Sequence, residues 1–199
     1  MRLLIASVAA ASILAGCAQN SASGPAVSAV DPGSPNAAPN YLATAGSSDQ
    51  FEIQSSQLAL QRSANPALRQ MAQMLITDHT NSTNQLMAAA QSAGITPPPP
   101  TLLPQHAAML QQLQAAPAPS FDAAYRDIQI QAHQEALVVH QGYASAGDVP
   151  ALRTTAAGIV PVVQNHLTAF QSMAMPAPMP MQTTAPPAYG QPARPGERG

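Results

Sequence analysis

Proline placement constrains this chain more than any other feature. The sequence has 21 prolines in 199 residues, and between about residues 46 and 174 they become sparse and fall mostly at the edges of stretches with helical periodicity. Proline lacks an N–H and clashes with the preceding turn, so it suits the first turn of a helix and disrupts the interior. Between these marks Leu, Met, Ala and Gln recur at helical spacing. Four long helices follow from their boundaries. The first is expected to open at Ser48 or Asp49 and run to about Ser63. The second has Asn65 as N-cap and Pro66 at its first position, and ends at Gly94. The third begins at Ser120 and ends near Gly147; the fourth starts at Asp148, with Pro150 in its first turn, and ends near Met173.

Only tight turns separate the first helix from the second and the third from the fourth, so each pair should be an antiparallel hairpin. A long connection, Ile95 to Pro119, joins the pairs; it holds four consecutive prolines, Pro97 to Pro100, and a short helical stretch from about Pro104 to Ala115. Two hairpins and one long crossover predict an all-α fold of the ferritin-like kind, a four-helix bundle. Trp is absent and aromatics are 4% of the chain, so this core is built from aliphatic residues, Met and many alanines. A domain of about 130 residues is long enough for one such core.

The flanks have other compositions. Arg2 precedes an apolar run from Leu3 to Ala15, and Leu14-Ala15-Gly16-Cys17 contains the only cysteine. The run is too short for the roughly 20 residues that cross a bilayer. It has the parts of an export signal, and its ending resembles a bacterial lipoprotein signal. Residues 1–16 are therefore expected to be removed and Cys17 lipidated, which would anchor the protein at a membrane. Ala18 after it favours, by resemblance to other lipoproteins, the outer membrane facing the periplasm. Residues 17–45, rich in Ser, Gly, Pro and Ala, read as a tether, residues 46–174 as the folded domain, and residues 175–199, rich in Pro and Met, as a disordered tail. The net charge is −2 and the chain has no lysine, so it lacks the basic stripe that nucleic-acid binding needs.

Several landmarks fall in a set order: Phe51-Glu52, Asp78-His79, Phe121-Asp122-Ala123-Ala124-Tyr125, His133, Pro161 and His166. Together they resemble an exported ferritin-like family known as domain of unknown function 4142, over about residues 40 to 174. The resemblance implies the fold and an envelope location. It carries no biochemical activity.

Histidine geometry supplies the functional candidates. His79 shares a helical stripe with Ala72, Leu75 and Leu86, and His166 shares one with Ile159, Val162, Val163, Phe170 and Met173, so both should face the core. Tyr125, Gln129, His133, Leu137 and His140 make one face of the third helix polar. At 1.5 Å per residue, Glu52, His79 and His133 lie about 20 Å from their hairpins and His166 about 27 Å, within about one turn of a common level. Two arrangements would compensate their burial. His79, His133, His166 and Glu52, with Asp78, could form a nitrogen and oxygen site suited to zinc, iron or copper. Alternatively, Glu–His and Tyr–His hydrogen bonds could fix the helix register with no metal. The sequence demands no cofactor. Di-iron chemistry of the ferritin kind fits poorly, because no Glu-x-x-His pair occurs.

Other polar residues have local explanations. Asp49 and Glu52 are spaced like a capping box, Asp122 suits a helix start beside a polar core of Tyr125 and His140, and His140 should lie at the core edge, partly exposed. His106, in the connection, should be exposed. Pro161 should kink the fourth helix. Met173, Met175, Met179 and Met181 could form a soft copper or silver site in the tail. No nucleophile elbow, phosphate loop or His-Glu-x-x-His motif is present. The expected role is a non-enzymatic structural or interaction module of the envelope. The alternative is a metal-binding bundle with an internal His/Glu site capable of redox chemistry.

Overall fold

The computed structural model describes residues 31–174. They form five α-helices: α1 (Ala38–Arg62), α2 (Pro66–Ser92), α3 (Pro104–Ala115), α4 (Phe121–Ala146) and α5 (Pro150–Ser172), with one 3-10 turn at Ala118–Ser120 and no strand among the described residues. Helix boundaries follow the local chemistry. Asn65 Oδ1 accepts the free N–H groups of Ala67 and Leu68, and Pro66 needs no donor at the first position. At the other end of α2, Gly94 takes φ 73°, the Ile95 N–H donates to Ala90 O, and the Gly94 N–H to Gln91 O. That is a Schellman stop, for which glycine avoids the Cβ penalty of a left-handed residue.

Helix α1 departs from expectation. It starts at Ala38, ten residues before Ser48, with proline in its first turn, so residues 38–45 belong to the helix and not to a tether. Its N-terminus, buried at Ala37 and Ala38, is satisfied from a distance. Asp148, expected to open α5, instead accepts the Ala38 N–H through Oδ2 at 3.2 Å and the Tyr143 hydroxyl through Oδ1 at 2.8 Å; α5 is left with Val149 as its N-cap. Asp49, expected near the helix start, lies mid-helix and buried, so its spacing from Glu52 is not a capping box. Helix α5 continues through Pro161, which removes the donor for the Ala157 carbonyl without ending the helix.

Helix α1 packs against α2 and α4, and α5 against α4 and α2, while α3 lies along α1. Arg62 fastens the end of α3: its Nη1 donates to Leu113 O at 2.9 Å while the guanidinium lies 4.4 Å above the Phe121 ring.

The apolar core is split in two. One cluster gathers Tyr41, Leu42, Leu86, Leu137, Tyr143, Leu152, Ile159 and Val163; the other gathers Phe51, Leu68, Met71, Leu75, Leu113, Phe121, Tyr125 and Phe170. Their order along the helices leaves a polar belt between them, with Asp49, Glu52, Ser55 and Ser56 from α1, His79 from α2, Gln129 and His133 from α4, and His166 from α5, all buried. Burying so many polar groups needs compensation from partners or ions.

Candidate metal centre

His79, His133 and His166 converge in this belt. Each offers one ring nitrogen to a group whose members all lie within 4.8 Å of one another. Ring centroids stand 5.7 Å apart for His79–His133, 5.6 Å for His79–His166 and 5.4 Å for His133–His166. The outer nitrogen of each ring has a partner. His79 Nδ1 lies 2.8 Å from Asp49 Oδ1, His133 Nδ1 2.8 Å from the Gln129 carbonyl, and His166 Nε2 3.0 Å from Asp78 Oδ2. The inner nitrogens, His79 Nε2, His133 Nε2 and His166 Nδ1, are buried and have no hydrogen-bond partner.

The chemistry of the partners sets the tautomers. Carbonyl and ionised carboxylate oxygens only accept, so each outer nitrogen carries the hydrogen and each inner nitrogen of a neutral ring is a bare lone pair. Three neutral rings would then hold three unpartnered lone pairs within one buried belt. A cation satisfies all three at once, and the outer hydrogen bonds are those that orient metal-bound imidazoles and raise their basicity. The Thr83 hydroxyl donates to the other Asp49 oxygen at 3.0 Å, which holds that carboxylate in place.

Electrostatics favour the neutral ring at His133 and His166 and the protonated ring at His79. Burial holds His133 well below the usual histidine range, reinforced by nearby His79, and burial likewise lowers His166 against the pull of Asp78. Burial also opposes the charged form of His79, but the Asp49 hydrogen bond and the Glu52 charge outweigh it and raise its pKa. Glu52 is fully enclosed, and burial pushes its carboxyl up to about 7 although His79 pulls the other way. Neither Glu52 oxygen has a hydrogen-bond partner, and Oε1 lies 3.5 Å from His133 Nδ1. Asp49 and Asp78 thus set carboxylates beside the triad that a divalent cation would compensate, while burial holds Glu52 toward its neutral form.

Of the five residues expected to bind metal, the structure brings the three histidines together. Glu52 and Asp78 lie outside the converging group, beside the outer nitrogens of His133 and His166. Asp49, which anchors His79, was hidden by its resemblance to a cap; the signal was its place at i, i+3 and i+7 with Glu52 and Ser56, one buried stripe. Tyr125 is buried as expected, with its hydroxyl 2.9 Å from Ser56 Oγ. Asp122 does not join it, being half-buried in the first turn of α4. His140 and His106 are both buried, against expectation: His140 of α4 packs against Tyr41 of α1, whose hydroxyl is 3.0 Å from Nδ1, and α3 carries His106 onto α1, where Nδ1 lies 2.6 Å from Ser47 Oγ. Their partners are hydroxyls, which can donate, so no bare lone pair is forced on either ring. Met173 packs against the core cluster of Phe121 and Phe170. Met175, Met179, Met181 and Cys17 lie outside the described residues.

Residues 22–173 match the family model described as Domain of unknown function (DUF4142). The chain belongs to this family. No curated protein matches this DUF4142 chain at a significant level. Two solved structures are similar in fold. "CopM in the Cu(II)-bound form" is 18% identical with a TM-score of 0.58, and the match covers 68% of this chain and 93% of that one. A DUF305 fragment from Deinococcus radiodurans is also 18% identical, with a TM-score of 0.59 and coverage of 71% and 96%.

Proposed function

We propose that this DUF4142 protein is a lipid-anchored envelope protein whose ferritin-like four-helix bundle binds one transition-metal ion at His79, His133 and His166. Two observations carry the reading: one ring nitrogen of each histidine lies within 4.8 Å of the others, and each ring has one buried nitrogen without a partner. Neutral imidazoles suit borderline first-row ions, and among divalent ions the affinity order peaks at copper, with zinc the next candidate. The Cu(II) of the similar CopM structure supports copper first. Three nitrogens leave a coordination position free, and the carboxylates sit outside the ligand group, so carboxylate-bridged di-iron chemistry is not favoured. The role is ion capture or buffering, without catalysis.

When bound, the ion would supply a positive charge that compensates the buried carboxylates. The residues do the rest. Asp49, the Gln129 carbonyl and Asp78 hold the imidazoles in the ligating tautomer, Glu52 balances charge, and the two apolar clusters exclude water. Cys17 would place the bundle at the outer membrane facing the periplasm, and alkyne-palmitate labelling lost in Cys17→Ser tests that anchor.

The test of the centre is a titration of chelator-treated protein with Cu(II) and with Zn(II), beside His133→Ala and His106→Ala. One equivalent should bind to the wild type and to His106→Ala, and none at that affinity to His133→Ala. Equal binding by His133→Ala would reject the centre.

A further inference from the structure

A buried centre needs a route for its ligand, and most of the groups around this one are closed to water. The side chains of Asp49, Glu52 and His133 are 2%, 1% and 0% exposed, and Gln129 is fully buried. Asp78 is the exception among the titratable groups around the triad, with 32% of its side chain exposed while its Oδ2 accepts the His166 Nε2 hydrogen. The same carboxylate therefore touches water and a candidate ligand.

A second feature lies beside it. Ser82 is buried, and its hydroxyl has no hydrogen-bond partner. By contrast, the hydroxyls of Ser47, Ser55 and Ser56 on α1 are all bonded. Ser82 follows Asp78 at i+4 and His79 at i+3, which puts it on the same face of α2, one turn along. Across the seam on α5, Val162 precedes His166 by four residues and is itself partly exposed. The seam thus carries a surface carboxylate, an unused hydroxyl and a histidine whose inner nitrogen is free.

The geometry points to an ion-loading port between α2 and α5, where the oxygens of Asp78 and Ser82 hold an incoming cation before it reaches the triad through His166. This rests on the metal-binding reading above. Carboxylate and hydroxyl oxygens replace part of the hydration shell at the surface, so the ion sheds its water in steps. Transfer follows when the Asp78–His166 hydrogen bond opens and the ring swings with its free nitrogen toward the ion. A negative group at a cleft mouth also attracts cations and raises their on-rate. Another opening competes: a cavity of about 50 Å³ between α1, α3 and α4, lined by His106, His140 and Glu135 among others. Its histidines face hydroxyl partners, and it has no residue of the triad in its wall.

Stopped-flow mixing of Cu(II), delivered as its glycine complex, with metal-free protein separates the roles. Asp78→Asn should slow association about ten-fold or more and, because Asp78 also orients His166, weaken the equilibrium affinity as well. Ser82→Ala, which leaves the His166 hydrogen bond in place, should slow association and chelator-driven release by a similar, smaller factor and leave the equilibrium affinity within a few-fold. Glu135→Gln should change neither. Faster release from Asp78→Asn with unchanged association would mean that Asp78 only orients His166, and slowing by Glu135→Gln would move the route to the other cavity; either overturns the port. Absence of Cu(II) binding by the wild type would instead overturn the metal-binding reading itself.

Discussion

Replacing His133 by Phe separates a ligand from a structural residue, because the two roles predict opposite signs. His133 is fully buried, its Nε2 has no partner, and its neighbours include the Phe170 ring at a centroid distance of 5.7 Å. An unsatisfied buried polar atom costs about 1–3 kcal/mol. The bond lost in the substitution, Nδ1 to the Gln129 carbonyl, costs little, because that carbonyl is within α4 and still has the helix ladder as a partner. Metal-free His133→Phe should therefore be more stable than the wild type by about 1–3 kcal/mol, less whatever strain the larger ring introduces. Adding metal should reverse the order: a ligand at about 100 times its Kd stabilises the wild type by about 2.7 kcal/mol and the variant not at all. Urea unfolding of chelator-treated protein, with and without Cu(II), measures both. If His133→Phe is less stable than the wild type without metal, and Cu(II) shifts neither protein, the histidines are a structural network and the argument from orphaned lone pairs fails.

Three further perturbations test the surrounding structure. Burial lowers the His140 pKa from 6.5 to about 4, with Asp49 opposing and His79 reinforcing; the unfolded chain then binds a proton that the folded chain refuses, so stability falls as pH drops through this window. From pH 7.5 to 4.5 the loss from this group is about 2.5 kcal/mol, and His140→Gln should flatten the urea-derived pH profile by about that amount. Asp148→Ala removes the acceptor for the Ala38 N–H and the Tyr143 hydroxyl, and should cost about 2–3 kcal/mol, with hydrogen exchange rising first at the start of α1; unchanged exchange there would reject the long-range cap. Asn65→Ala should cost about 1 kcal/mol in thermal unfolding, from the two N–H groups it leaves free.

The helices were legible wherever a boundary had its own chemistry. Asn65-Pro66, Gly94, Pro104 and Pro150 marked ends that the structure keeps, because caps and prolines act through the backbone of their own neighbourhood. The start of α1 was not legible. Ser48 and Asp49 look like caps, yet they lie inside a helix held by tertiary packing and by an aspartate 110 positions away. Helix propensity is a weak prior against such contacts. His106 was misplaced for a related reason: nothing local to α3 shows that Ser47 on α1 will cover it.

The histidine stripes placed three residues on a common level, and the structure brings those three together. What the stripes could not show was the division of labour within each ring. A hydrogen-bonded partner and a free nitrogen are alternatives only for a group with one polar atom; imidazole has two nitrogens, and here each ring has one of each kind. The identity of the partner, acceptor-only for the triad and hydroxyl for His106 and His140, is a three-dimensional fact that no spacing along a helix contains.

The most direct measurement is pulsed electron paramagnetic resonance of the protein loaded with one equivalent of Cu(II), with histidine nitrogens isotopically labelled. The account predicts coupling to three imidazoles, and loss of that signal in His133→Phe. Coupling dominated by backbone amide or terminal nitrogens, or a spectrum that His133→Phe leaves unchanged, would contradict it.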